Sequence, residues 1–84
     1  IRDVAPAAPV HVLMIPKAHT ENIITAEPEL LLYMFGKVKE LAEKLGVNEK
    51  GFRIVANTGD DGGQTVKHLH IHLLGGKALG WPPC

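Results

Sequence analysis

Hydrophobic and polar positions alternate most strictly near the C-terminal end of the chain. Residues 64–76 read Gln64-Thr65-Val66-Lys67-His68-Leu69-His70-Ile71-His72-Leu73-Leu74-Gly75-Gly76. Alternation with a period of two predicts a half-buried β-strand, because successive side chains point to opposite faces. Leu69, Ile71 and Leu73 would face a core, and His68, His70 and His72 would form a row on the other side. Gly75-Gly76 ends the pattern.

The same pattern divides the rest of the chain. Pro6 and Pro9 make residues 1–9 an extended loop. Residues 10–15 form an apolar strand stopped by Pro16, with His11, Leu13 and Ile15 on one face and Val10, Val12 and Met14 on the other. His11 is the one polar residue in it, and a turn through His19 follows. Residues 27–45 carry Leu31, Met34, Phe35, Val38, Leu41, Ala42 and Leu45 at three- and four-residue steps, which predicts a helix with these side chains in the core. Thr25 is the candidate N-cap, Pro28 falls in the first turn, and Gly46 is placed to end the helix in a left-handed conformation. Residues 52–57 form a further strand. Residues 58–63, Thr-Gly-Asp-Asp-Gly-Gly, form a turn-rich loop that runs into the histidine segment. Residues 77–84 form a tail in which Trp81 precedes Pro82-Pro83, a rigid segment with a large apolar anchor that docks on its own domain or on a partner.

Composition narrows the function. The 84 residues allow one domain with a limited core, so oligomerisation is an expected source of stability. Nine basic and nine acidic residues cancel, which gives no electrostatic case for coating nucleic acid. Cys84 is the only cysteine, so neither an intrachain disulfide nor a cysteine zinc cage can form, as expected of a reducing compartment. No apolar run reaches the length of a membrane span.

Three imidazoles on one strand face serve no packing purpose. They suit chemistry, a metal site shared with His11, or a solvent-exposed stripe. The glycine-rich loop is either a plain hairpin connection or a nest of backbone N–H groups for a phosphate. From composition, Asp3 reads as a turn or solvent-facing carboxylate.

The run His68-Leu69-His70-Ile71-His72-Leu73-Leu74 resembles the His-x-His-x-His signature of the histidine triad superfamily. Gly75-Gly76 with Trp81-Pro82-Pro83, Asn57-x-Gly59 with Asp61-Gly62-Gly63-Gln64, and the segment from Asp3 through Pro16-Lys17 to His19 resemble its nucleotide-binding branch. The resemblance spans essentially the whole chain. It implies an α+β fold: an antiparallel sheet with one long helix packed on a face, the sheet continuing across a homodimer. On this reading residues 1–84 are a single histidine triad domain, the C-terminal two-thirds or so of a complete one.

The resemblance also implies an activity. Such proteins hydrolyse phosphoramidates of purine nucleoside monophosphates, without cofactor or metal, and act in the cytoplasm or nucleus on AMP or GMP derivatives rather than on nucleic acid or membrane. His70 would be the nucleophile, held by the main-chain carbonyl of His68. His72 would contact the phosphate, and His68 and His11 would orient and polarise. Thr65, standing where Ser is usual, would assist the leaving amine. Asn57 and the amides near Gly63 and Thr65 would hold the phosphate. Asp3 would bind the ribose hydroxyls, Leu13 would line the pocket, and the tail at Trp81 would affect substrate choice. His19 matches a family position without an assigned role. Cys84 stands where Gly is usual. A neighbouring branch hydrolyses dinucleoside polyphosphates but tends to follow its triad with Pro-Arg, unlike Gly75-Gly76. A non-enzymatic nucleotide-binding or scaffold protein is the third reading.

Overall fold

The computed structural model describes residues 8–80. In chain order they form β1 (Val10–Met14), α1 (Pro28–Gly36), α2 (Val38–Leu45), β2 (Phe52–Val55) and β3 (Ile71–Gly75). The three strands make an antiparallel sheet in the order β1-β3-β2, so the histidine-bearing strand is central. The expected α+β architecture is borne out.

Register sorts the two faces. Leu73 lies opposite Val12 of β1 and Ile54 of β2, and Met14 lies opposite Ile71. These side chains meet the helices. Ile71 packs with Ala26, Met34 and Leu69, Leu73 packs with Ala42 and Val47, and Ile54 touches both groups. Ile71 and Leu73 are completely buried. The opposite face carries His11, Leu13, Arg53, Val55, His72 and Leu74, with Leu13 and Val55 flanking His72.

The helix is bent rather than continuous. Lys37, after Gly36, has φ −89° and ψ −9°, and its N–H donates to the Met34 carbonyl three residues back at 3.1 Å. This tighter turn separates α1 from α2, and the Leu41 N–H resumes four-residue spacing on the Lys37 carbonyl at 3.0 Å. Glu27, not Thr25, is the N-cap, without a side-chain hydrogen bond, and Pro28 takes the first helical position. The Thr25 hydroxyl is instead engaged with Thr20 and Asn22. At the other end Gly46 adopts φ 73°, and the Val47 N–H donates to the Ala42 carbonyl at 3.0 Å. That geometry closes the helix as expected. Of the predicted apolar stripe Met34 and Ala42 are buried, whereas Phe35 is 48% exposed and the others are half-buried. The bend and the small sheet leave too little surface to cover the whole stripe.

The strands are shorter than the alternation predicts. Ile15 is outside β1 and 47% exposed, and β2 ends at Val55 rather than Asn57. β3 begins only at Ile71, because Met14, two residues before Pro16, is the last ladder partner that β1 supplies. Leu69 nevertheless continues the alternating burial at 2% exposure. Among the described residues no helix is long and apolar enough to cross a membrane.

Leu73→Ala removes a filled position at the junction of three elements and is expected to cost roughly 2–5 kcal/mol. Gly46→Ala forces a Cβ into a left-handed backbone and is expected to cost about 1–2 kcal/mol. Urea denaturation of both variants, read at constant m-value, checks the order.

Candidate active site

The histidines gather at the end of β3 where its ladder stops. His72 is the last residue of that strand with partners on both sides, and His70 lies just beyond the strand. The His70 ring meets the His72 ring edge-on, with centroids 5.2 Å apart. His72 Nδ1 lies 2.8 Å from His11 Nε2, so one ring supplies the proton and the other the lone pair. His11, the polar residue in β1, is buried by this arrangement. The ladder that sets Leu13 opposite His72 also sets His11 beside it.

His70 has a defined tautomer. Its Nδ1 lies 2.8 Å from the His68 carbonyl oxygen. A carbonyl only accepts, so Nδ1 carries the proton and the neutral ring presents its lone pair at Nε2. His68 turns its own ring away, with Nε2–H donating to the Pro16 carbonyl at 3.2 Å. The His19 ring stands edge-on to His68 at 5.0 Å. His68 therefore contributes its main chain to the neighbouring histidine and its ring to the turn after β1.

The loop between β2 and β3 is built around glycine. A Cβ on Gly62 would overlap the backbone of Thr58, so the loop folds this tightly only with glycine there. The Gly63 N–H donates to the Asp60 carbonyl at 3.0 Å and the Gln64 N–H to the Gly59 carbonyl at 3.0 Å. Two loop amides are thus committed within the loop, Gly63's among them. Thr65, the next residue after Gln64, is exposed, and Asn57 is half-buried at the start of the loop.

The structure brings together His11, Leu13, His68, His70 and His72. Asp3 and Trp81 lie outside the described residues. Among the described residues no group of three His, Cys, Asp or Glu side chains is arranged to hold a metal ion. A hollow of about 740 Å³ lined by Lys50, Gly51, Gly76 and Lys77 lies at the other end of β3. Arg53, on the histidine face, is tied by Nη2 to the Gly80 carbonyl at 2.9 Å.

Two residues escape sequence reasoning as site elements. Asn22 and Gln64 are both buried and joined by Nδ2–H to Oε1 at 3.2 Å. Asn22 sits in a polar stretch where Asn reads as an ordinary turn residue. No spacing rule links residues 42 positions apart.

Comparison with known proteins places this geometry. The HIT domain model matches residues 1–79. A HIT-like protein of Synechococcus elongatus is 56% identical over 98% of this chain and 74% of its own length. A HIT family hydrolase from Legionella pneumophila superposes with a TM-score of 0.93 at 44% identity, covering 99% of this chain and 77% of that one. A histidine triad nucleotide-binding protein from Candida albicans superposes with a TM-score of 0.79 at 31% identity, over 96% of this chain and 65% of that one. The central strand, the row of histidines at the end of its ladder and these likenesses agree: the chain belongs to the HIT domain family.

Proposed function

We propose that this chain is a hydrolase of the nucleotide-binding branch, cleaving the P–N bond of purine nucleoside 5′-phosphoramidates through a nucleotidyl-histidine intermediate. The observation that carries the reading is the hydrogen bond from His70 Nδ1–H to the His68 carbonyl. It leaves the Nε2 lone pair for attack on phosphorus. The names of the Legionella and Candida relatives, a hydrolase and a nucleotide-binding protein, support the same reading.

In the first step Nε2 forms a bond to phosphorus and the P–N bond breaks. The departing amine takes a proton from solvent, with the Thr65 hydroxyl as the proposed relay. The ring on His70 becomes cationic, and its Nδ1–H bond to a carbonyl oxygen stabilises that charge. In the second step water attacks phosphorus and gives up a proton to solvent, the P–Nε2 bond breaks, the His70 ring becomes neutral again and the nucleoside monophosphate leaves. His72, one strand step away, contacts the phosphate, and its Nδ1 shares one proton with His11 Nε2. Asn57 and the amide of Thr65 hold phosphate oxygens. The Gly63 amide, already bonded to Asp60, shapes the loop instead. Asp3 is assigned to the ribose hydroxyls, Leu13 to the pocket wall and Trp81 to substrate choice. A homodimer in the cytoplasm, with the sheet continued between subunits, completes the proposal.

His70→Ala is expected to lower turnover of adenosine 5′-phosphoramidate by about 10³-fold or more while AMP binding, read by calorimetry, persists. Retained turnover would overturn the nucleophile. A clear preference for a diadenosine polyphosphate over the phosphoramidate would move the chain to the neighbouring branch. His11→Phe deprives the His72 ring of its partner at Nδ1. Its kcat should fall on the order of 10²-fold with little change in KM.

A further inference from the structure

The peptide group that holds His70 is itself held. The His68 carbonyl accepts from His70 Nδ1–H at 2.8 Å. The N–H of the same peptide, on Leu69, donates to the Thr20 carbonyl at 2.7 Å. Each bond polarises the peptide in the sense that strengthens the other. The orientation of His70 therefore depends on where the Thr20 carbonyl stands.

That carbonyl is placed by two buried amides. Asn22 Oδ1 accepts from the Ile24 and Thr25 N–H groups at 2.9 and 3.4 Å, and the Ala26 N–H returns to the Asn22 carbonyl at 3.1 Å. The Thr20 and Thr25 hydroxyls meet at 2.8 Å and close the turn. Gln64 then docks the turn against the loop. Its Nε2 donates to the Glu21 carbonyl at 2.7 Å and the Val66 carbonyl at 3.0 Å. Its Oε1 accepts from Gly59 N–H at 2.9 Å and Asn22 Nδ2 at 3.2 Å. Two donors and two acceptor positions are all used, and each end of the amide faces partners of the opposite kind. The Gln64 amide has no spare group to offer a ligand in this arrangement.

We infer that Asn22 and Gln64 are positioning residues for His70, acting through the Thr20 carbonyl and the His68–Leu69 peptide to hold the imidazole in its Nδ1–H tautomer. One amide pair also joins the turn to the glycine loop, so the nucleophile and that loop share a common anchor. The kinetic consequence rests on the phosphoramidase reading, but the tautomer does not.

The test uses Asn22→Asp in the full chain. That substitution keeps the two bonds to Ile24 and Thr25 but sets an oxygen against Gln64 Oε1. Long-range ¹H–¹⁵N correlation spectra of labelled histidine report the His70 tautomer. The expected result is a mixed tautomer, with kcat for adenosine 5′-phosphoramidate lowered about 10–100-fold and KM moved by less than about threefold. A chemically synthesised chain with an ester in place of the Glu21 amide weakens the Thr20 carbonyl as the acceptor for Leu69 N–H, leaves the His68–Leu69 peptide itself intact and should shift the tautomer in the same way. It also decides the matter if Asn22→Asp does not fold. An unchanged Nδ1–H tautomer in the folded Asn22→Asp chain, or in the ester chain, overturns the inference, even if stability or turnover falls. A shifted tautomer in a protein whose unaltered form does not cleave phosphoramidates sustains the inference and removes the functional reading instead.

Discussion

The structure depends on the double pairing of β3. Antiparallel ladders on both sides hold Ile71 and Leu73 against the helices, where neither retains exposed surface. Because side chains alternate, the same ladders present His72 on the opposite face. A slip of one residue in register would bury imidazoles in an aliphatic core and expose the aliphatic side chains. The hydrophobic energy of the core thus enforces the placement of the polar row, and stability and site geometry share one determinant.

Beyond the ladder the physics changes. From Leu69 back to Gln64 the chain has no strand partner within the sheet, and individual hydrogen bonds replace the regular ladder. The Thr20 carbonyl takes the Leu69 N–H, the Pro16 carbonyl takes the His68 ring, and the His68 carbonyl takes the His70 ring. Each bond is local and directional. Ending the strand before His70 frees the His68 carbonyl to receive the imidazole proton. A shorter strand than alternation suggests is therefore what defines the ring's tautomer.

The three histidines of the row are chemically distinct for this reason. His68 spends its ring on the turn after β1, His70 spends one nitrogen on the main chain, and His72 is joined to a fourth histidine from β1. Identical side chains at equal spacing acquire different proton arrangements because each meets a different partner. Gln64 extends this order into the glycine loop, which the tight packing of Gly62 on Thr58 and the internal bonding of the Gly63 amide shape from within.

Much of this was legible in the amino-acid sequence. Alternation identified the aliphatic and histidine faces of the segment around His70, and the Gly46 terminus followed from its missing Cβ, because such features depend on neighbours along the chain. The shortened strands, the bend at Lys37 and the displacement of the N-cap from Thr25 to Glu27 did not. Strand ends depend on where a distant partner stops, and the Thr25 hydroxyl was claimed by Thr20 and Asn22. Periodicity also overstated the core at Phe35, since it marks which side of a helix is apolar and not how much of that side the sheet covers. Sequence spacing alone set the order His68, His70, His72. Tertiary structure decided which nitrogen of His70 is protonated, which histidine His72 meets and what Asn22 and Gln64 hold, because hydrogen-bond partners are chosen by proximity in space.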